Sequence, residues 1–221
     1  MNSLKMLFIL LVFPLSLSAQ EAGVNIPASL GPFLSWKAGL NGSETIEGRK
    51  NALAFNNLPD FGANFYYPLS ESSLLGLSTD LGYLNYSYAI EDDLTGEKFT
   101  HRYSYVALNP NIFFSGFTFG FAFGLPVSAS LEGSEIDTDK LDFMAEIKLG
   151  YIYPVFTDET GTMNIYINAG YMLSGLYKDF PDDDPLAPFI NAENEYVVSG
   201  NNNPRPVTVG LGFSYIFNLG M

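Results

Sequence analysis

Residues 117 to 131 read FTFGFAFGLPVSASL, and the fold can be argued outward from this stretch. Its odd-numbered positions are all apolar: Phe117, Phe119, Phe121, Phe123, Leu125, Val127, Ala129 and Leu131. Its even-numbered positions hold threonine, glycine, alanine, proline and serine. Because successive side chains of a β-strand point to opposite faces, the pattern predicts a long strand with one apolar face and one face of small or polar residues.

The same alternation recurs along the chain and predicts eight strands. At about ten to sixteen residues, most exceed the five or six typical of soluble proteins and suit a tilted crossing of a bilayer. We therefore predict an all-β fold, a transmembrane antiparallel up-and-down β-barrel. The predicted strands cover residues 31–40, 60–69, 74–90, 99–114, 117–131, 140–154, 163–177 and 205–219.

Long and short connections alternate between these strands. The long ones cover residues 41–59, 91–98, 132–139 and 178–204, and the short ones cover residues 70–73, 115–116 and 155–162. Transmembrane barrels have short periplasmic turns and longer external loops. The pattern therefore predicts that both ends of the barrel domain lie on the periplasmic side, as an even number of strands requires.

Aromatic residues near the strand ends predict girdles at both membrane interfaces. One predicted girdle contains Tyr67, Tyr151, Tyr153, Tyr215 and Phe217, and the other contains Tyr83, Tyr86, Tyr103 and Tyr177. The strand at residues 99–114 does not alternate regularly. The residues predicted to face outward are at odd positions at first (His101, Tyr103 and Tyr105) and at even positions from Leu108 onward. A β-bulge in this strand would produce the change of parity.

Composition and charge exclude several classes of protein. The chain has no cysteine, which excludes disulfides, thiolate metal sites and a thiol nucleophile. Its 24 acidic and 10 basic residues give a net charge of −14, which argues against nucleic-acid binding because phosphate neutralisation needs a basic surface. A hydrophobic content of 47% argues against disorder.

The first twenty residues have the organisation of a secretory signal peptide. Lys5 precedes an apolar run over residues 6–13, and small residues follow at Ser16, Ser18 and Ala19. The run is too short to span a bilayer as a helix. We predict cleavage after Ala19, with a signal peptide over residues 1–19, a barrel domain over residues 20–221 and export to the outer membrane.

The whole mature chain resembles the small outer-membrane β-barrel proteins of Gram-negative bacteria, especially the porin-like barrels of Bacteroidota. The resemblance rests on Ser18-Ala19-Gln20, on the eight alternating strands and on the last strand at residues 207–219 with Phe213, Tyr215 and Phe217. It implies contact with outer-membrane lipid and with the barrel-insertion machinery. Such barrels commonly end on an aromatic residue, whereas here Asn218-Leu219-Gly220-Met221 follow Phe217, a departure from the family pattern.

Charged residues on the predicted inward faces form a candidate network in the lumen. Unpaired buried charge is costly, so acids and bases in a narrow bore are expected to pair. A barrel of eight strands has room for side chains and little else. The predicted network, which includes a bridge between Glu146 and Lys148, comprises Lys37, Asp80, Arg102, Asp142, Glu146 and Lys148.

The last long loop is the candidate partner-binding segment. Its acidic run and its aromatic residues would present carboxylates and rings to an external ion, glycan or protein, or would form a solvated loop. Carboxylate oxygens are the ligands that calcium takes, but the spacing of these acids does not match the EF-hand pattern. The candidate residues are Asp182, Asp183, Asp184, Phe189 and Tyr196.

No catalytic residue, cofactor or metal ion is predicted. An outer-membrane lipid hydrolase would need His101, the only histidine, close to Ser104, but residues three apart on a strand face opposite sides. We interpret the protein as a monomeric, non-enzymatic scaffold with a charge-plugged lumen. The alternatives are a narrow pore or transport-associated barrel, the hydrolase, and a soluble lipocalin-like carrier, which would need an apolar interior.

Two substitutions distinguish the predicted faces of the strand at residues 117–131. Phe121→Arg places a charge against lipid near the bilayer midplane and is expected to cost ~2–4 kcal/mol. Gly120→Ser, on the inward face, is expected to be much milder.

Overall fold

The computed structural model describes residues 27–43, 45, 48–70, 74–178 and 203–219. The strands are β1 (Ser29–Asn41), β2 (Arg49–Ala52), β3 (Ala54–Phe55), β4 (Asp60–Pro68), β5 (Leu75–Asp92), β6 (Lys98–Phe114), β7 (Phe117–Leu131), β8 (Ser134–Glu135), β9 (Met144–Thr157), β10 (Gly161–Met172) and β11 (Pro206–Asn218). A 3₁₀ turn covers Thr138–Lys140. In the described part of the chain, no helix has both the length and the apolar character needed to cross a membrane.

The sheet closes on itself. Its strands pair antiparallel in the order β1–β4–β5–β6–β7–β9–β10–β11, and β11 then pairs with β1. The closing register runs from Ser29 opposite Asn218 to Asn41 opposite Pro206. The described strands therefore form a ring of eight positions, which confirms the predicted up-and-down barrel.

The second position of the ring is shared by three strands. β4 pairs with both β1 and β5, while β3 continues the contact with β1 and β2 continues the contact with β5. At the interruption between β3 and β4, the side chain of Asn56 donates to the backbone oxygen of Asn85 at 2.5 Å and accepts from the Ser87 hydroxyl at 2.6 Å. Much of the predicted loop at residues 41–59 is thus part of the barrel wall.

The two ends of the barrel differ in their connections. One end, here called the short-turn end, carries the connections between β4 and β5, β6 and β7, and β9 and β10. Ser115 and Gly116 turn the chain between β6 and β7 with φ values of 50° and 90°, as a two-residue type I′ hairpin turn requires. The opposite end, the long-loop end, carries the other connections. The first residue of β1 and the last residue of β11 pair with each other at the short-turn end.

The apolar faces of the strands point outward, as the alternation predicts. The large apolar side chains exposed on this outer face include Leu34, Trp36, Phe61, Leu81, Leu108, Phe119, Phe121, Leu149, Ile167, Leu211 and Phe213. Backbone groups in a closed ring are satisfied within the wall, and an apolar outer surface suits lipid. The chain thus has the architecture of a transmembrane β-barrel.

The predicted change of parity in β6 is wrong. The register between β5 and β6 is unbroken from Leu75 to Glu91, and His101, Tyr103 and Tyr105 all point into the barrel. The irregularity lies opposite, where the register with β7 shifts between Ser104 and Tyr105. The tyrosines were assigned to the lipid face because they are apolar in bulk, but here they fill the interior.

The predicted aromatic girdle at the long-loop end is wrong for three of its four residues, and for the same reason; the fourth, Tyr83, lies on the outer face with Leu81. Tyr86, Tyr103 and Tyr177 are 1%, 1% and 2% exposed, so they are core residues. A girdle residue must face the interface with the membrane, which these three side chains do not reach.

Candidate functional site

The barrel interior is the candidate functional site, and its half nearer the long-loop end is filled by aromatic side chains. The His101 ring stacks on Tyr88 with centroids 4.6 Å apart, and its Nδ1 lies 3.1 Å from the Tyr103 hydroxyl. The Tyr103 hydroxyl lies 2.8 Å from that of Tyr177. We call these residues, together with Tyr105, the aromatic plug.

Apolar side chains complete the packing around the aromatic plug. They belong to one buried cluster and include Leu84, Ile136, Leu141, Met144, Met172 and Leu176. Most of them expose none of their surface, as do Tyr88, Tyr105 and His101. These side chains therefore form a packed core inside this half of the barrel.

A charged layer follows toward the middle of the barrel, and Lys37 and Asp60 form its closest ion pair. Lys37 Nζ lies 2.9 Å from Asp60 Oδ2, and both side chains are buried. The Asp60 carboxylate also accepts the backbone N–H of Asn85 at 2.7 Å. The Lys37 ammonium lies 3.7 Å from the ring centroid of Tyr86, in cation–π geometry.

Glu146 is held in the same layer by hydroxyl groups. The Tyr86 hydroxyl donates to Glu146 Oε2 at 2.6 Å, and the Thr208 hydroxyl donates to Oε1 at 3.3 Å. Glu146 is completely buried. Tyr86 therefore contacts both charges, with its ring against Lys37 and its hydroxyl on Glu146.

A cavity of about 160 Å³, lined by both polar and apolar residues, occupies the half nearer the short-turn end. Its polar lining consists of Asn64, Ser78, Asp80, Asn109, Asn111, Thr118, Lys148, Asn164, Asn168 and Ser214. Phe33, Tyr66, Phe113 and Tyr166 contribute aromatic surface. The cavity also reaches Leu74, Ser115 and Gly116, which belong to the turns at that end.

The six predicted lumen residues are distributed over several levels. Lys37 and Glu146 lie in the charged layer, and Asp80 and Lys148 line the cavity. Asp142 lies at the long-loop end just before β9, where its Oδ1 accepts the N–H of Phe143 at 2.7 Å. Arg102 shares the outer face of β6 with Val106, so its predicted inward position is wrong because the predicted parity change does not occur.

Within the described part of the chain, no close ion pair joins two of the six residues. Instead, Lys37 pairs with Asp60, which the sequence analysis left out of the network. Asp60 shares its parity with Gly62 and Asn64, which were assigned to the inward face, so the alternation rule identifies it. The residue was missed because it stands at the predicted start of its strand.

The candidate partner-binding residues Asp182, Asp183, Asp184, Phe189 and Tyr196 lie outside the described residues. The described acids at the long-loop end are partly neutralised. Arg49 lies 2.8 Å from Asp92, and Lys50 lies 2.8 Å from Glu91.

The pair required for a lipid hydrolase is not assembled. His101 is fully buried in the aromatic plug, whereas Ser104 lies on the opposite face of β6 and donates to Asn85 Oδ1 at 2.8 Å. A general base must lie within hydrogen-bonding reach of the nucleophile. The two residues therefore do not form a catalytic pair in this arrangement.

Similar solved structures are outer-membrane proteins. Ail, the attachment invasion locus protein of Yersinia pestis, solved with the heparin analogue sucrose octasulfate, matches with 9% identity and a TM-score of 0.36 over 87% of this chain and 100% of its own. OprG from Pseudomonas aeruginosa matches with 11% identity and a TM-score of 0.35 over 88% of this chain and 98% of its own. AlkL, solved in DMPC lipid bilayers, matches with 11% identity and a TM-score of 0.39 over 90% of this chain and 94% of its own.

No protein-family model and no curated protein matches the chain. With identities and TM-scores this low, the fold assignment rests on the strand pairing of this chain and not on the likeness to these proteins.

Proposed function

We propose that the protein is a non-enzymatic, monomeric outer-membrane β-barrel that does not conduct solutes and that acts through its surface at the long-loop end. The observation that carries this proposal is the aromatic plug, whose residues Tyr88, His101 and Tyr105 have no exposed surface. The bore of an eight-stranded barrel is just wide enough for side chains to fill.

The charged layer adds a second barrier to solutes. A solute that crossed the bore would have to separate Lys37 from Asp60 and displace the hydroxyls that Glu146 accepts. Breaking a buried pair leaves a charge without compensation, which is costly. Two different kinds of packing would therefore have to open together for steady conduction.

Residence in the outer membrane is supported by the apolar outer face and the closed ring of strands. A closed barrel leaves no unpaired strand edge in the hydrocarbon core. The N-terminal segment at residues 1–19 has the pattern of an export signal. The partners that follow are outer-membrane lipid and the insertion machinery, with an ion, glycan or protein bound by the acidic loops.

Electrical recording in planar bilayers tests the proposed closure. We expect no steady current from the wild-type protein. Tyr103→Ala combined with Tyr177→Ala removes two rings from the aromatic plug and is expected to produce leak currents. Tyr171→Ala, on the outer face, is the matched control and is expected to give no leak current. A steady porin-like current from the wild type would overturn the proposal.

The second candidate function is a narrow pore, and the cavity at the short-turn end favours it. The cavity opens part of the bore from the short-turn end, so a passage would need only the charged layer and the aromatic plug to move. The same recordings separate the two functions, because the pore requires current from the wild-type protein without any substitution.

A further inference from the structure

The cavity at the short-turn end contains buried polar groups that the fold does not satisfy. Asn109 is 3% exposed, yet its Oδ1 accepts no hydrogen bond from any described residue. The Oδ1 atom of Asn168 is buried and equally unpartnered. Buried polar atoms in native proteins almost always have a partner, and an unsatisfied one costs about 1–3 kcal/mol. Both side chains line the cavity, which points to an occupant that donates hydrogen bonds.

Lys148 adds an unpartnered donor to the same cavity. It is 8% exposed, and its ammonium makes no hydrogen bond or close ion pair in the described part of the chain. Lys148 stands opposite Gly170 in the pairing of β9 with β10, and Asn168 stands opposite Gly150. The two side chains are therefore diagonal neighbours on the inward face, about 7–8 Å apart at their α-carbons.

The charges of the lining exclude a strongly charged occupant. Asp80 is the acidic residue of the described lining and Lys148 the basic one, and their formal charges cancel. The Asp80 carboxylate already accepts hydrogen bonds from the side-chain amides of Asn64 and Asn109. An added anion or cation would leave a net charge in a confined site, which is unfavourable.

The aromatic side chains supply apolar surface for the carbon skeleton of the occupant. Tyr66 and Phe113 meet edge to face with centroids 5.4 Å apart, and Phe33 and Tyr166 complete the aromatic lining. Small-molecule sites typically combine such surface with a few placed polar groups. The volume of about 160 Å³ lies below the roughly 300–1,000 Å³ of typical ligand pockets, so the occupant is small.

We infer that this cavity is a binding site for a small uncharged polyol, of the size of a monosaccharide or less. Hydroxyl groups of the polyol donate to Asn109 Oδ1 and Asn168 Oδ1, and one hydroxyl oxygen accepts from Lys148. Its C–H faces pack against the aromatic rings. The polyol enters from the short-turn end, because Leu74, Ser115 and Gly116 line that side of the cavity. The site does not depend on the proposed role of the long loops.

Calorimetric titration of the purified full-length protein in detergent tests the site with two matched acyclic compounds. Xylitol is the uncharged probe, and D-xylonate carries a carboxylate in place of one terminal hydroxymethyl group. We expect saturable binding of xylitol and binding of D-xylonate that is at least about tenfold weaker. Absence of saturable xylitol binding, or equal binding of the two compounds, would overturn the inference. Binding of D-xylonate alone would show an anion site instead.

Asn168→Asp is the informative variant, because it keeps the side-chain shape and places a carboxylate beside Lys148. The new carboxylate pairs with the Lys148 ammonium, so neither group is left to bind the polyol, and xylitol affinity is expected to fall about tenfold. Asn51→Asp adds the same charge in β2, outside the cavity, and is expected to bind xylitol like the wild type. Equal affinities for the two variants would contradict the assignment.

A measurement on the unmodified protein keeps the test independent of how the variants fold. In NMR spectra, xylitol is expected to shift the side-chain amide signals of Asn109 and Asn168 and to leave that of Asn51 in place. Shifts spread evenly over all asparagines, or absent from Asn109 and Asn168, would refute binding in the cavity.

Discussion

At the scale of single residues, the ion pair of Lys37 and Asp60 is the most sensitive part of the charged layer. Lys37→Met leaves the Asp60 carboxylate buried without its cation, and we expect a loss of about 3–5 kcal/mol in the free energy of unfolding. The combined variant Lys37→Met with Asp60→Asn is expected to recover much of this loss, because the amide oxygen still accepts the N–H of Asn85. Urea unfolding in detergent measures both.

Lys50 provides the control for this prediction. It also forms an ion pair, with Glu91 at 2.8 Å, but its side chain is 54% exposed. Lys50→Met is therefore expected to cost only ~0–1 kcal/mol. A loss for Lys37→Met as small as that for Lys50→Met would mean that the charged layer is hydrated.

Gly120 is required where β7 passes close to β6. A Cβ added at this position would lie 2.1 Å from the backbone oxygen of Pro110, so the wall must shift to admit any side chain. The expectation that Gly120→Ser is mild is therefore wrong on this geometry. We now expect Gly120→Ala to lower the unfolding midpoint in urea clearly. Gly124→Ala is the control, because its Cβ would meet only side-chain atoms at 3.0 Å and beyond.

The residues of the interior were only partly predictable from the sequence. Lys37, Glu146 and Lys148 follow from strict alternation, and their inward positions agree with it. Tyr86, Tyr88 and Tyr103 share the inward parity of their strands as well, but parity alone does not identify them as core residues, because a tyrosine is equally suited to a membrane interface and to a core in which its hydroxyl finds a partner. Only the register of β6 against β5 decides between the two environments.

At the scale of elements, β7 presents its phenylalanines to lipid in one row. Phe121 lies near the middle of the apolar face, and we expect Phe121→Arg to cost ~2–4 kcal/mol in the free energy of unfolding from lipid. Phe114→Arg, at the short-turn end of β6, is the control and is expected to cost ~0–1 kcal/mol because interfaces tolerate charge. Similar costs at both positions would contradict the depth assigned to Phe121.

The turn between β9 and β10 is stabilised by the Asp158 carboxylate. It accepts the Thr160 hydroxyl at 2.6 Å and the N–H groups of Thr160 and Gly161 at 2.8 and 3.0 Å. These hydrogen bonds hold the pKa of Asp158 below its usual value of 3.8, and the bond from the Thr160 hydroxyl has the largest effect. The stabilisation is therefore present above the unfolded pKa and is lost as the pH falls through the lower, folded pKa.

Comparing Asp158→Asn with the wild type checks this pH dependence. The wild type is expected to be the more stable protein at neutral pH, and the difference is expected to shrink as the pH falls below about 4. Glu159→Gln, at the next position of the turn, is expected to show no such trend. A difference that grows on acidification would refute the role of the carboxylate.

Long elements were predictable because a strand between lipid and a polar interior must alternate. β6, β7 and β11 match their predicted ranges to within a residue. β2 and β3 were not predicted, because RKNALAFNNLP at residues 49–59 does not alternate cleanly. Their pairing is imposed by β1 and β5, which extend beyond the end of β4 and offer backbone groups that need partners.

At the scale of the whole molecule, the pairing of β1 with β11 makes the sheet a closed barrel. Ala38 stands opposite Val209 in this seam, and the chain contains no cysteine. Ala38→Cys with Val209→Cys is therefore expected to form a disulfide upon mild oxidation, since opposed α-carbons in a ladder lie at disulfide distance. Gel mobility with and without reductant detects the bond.

The control pairs Ala38→Cys with Phe213→Cys. Phe213 stands opposite Leu34, four residues along β1, so no disulfide is expected. Equal cross-linking of both pairs, or failure of the Ala38 and Val209 pair in a folded protein, would show that the seam is not closed in this register.

The seam between β1 and β11 also determines the order of events during folding. The two strands are separated by almost the whole sequence, and contacts between such distant segments form slowly. Until they meet, the sheet has two free edges, and an unpaired edge is a template for aggregation. Closure of the ring must therefore come late, after synthesis of β11. Until then, we expect the unclosed chain to need a chaperone or a lipid surface to avoid aggregation.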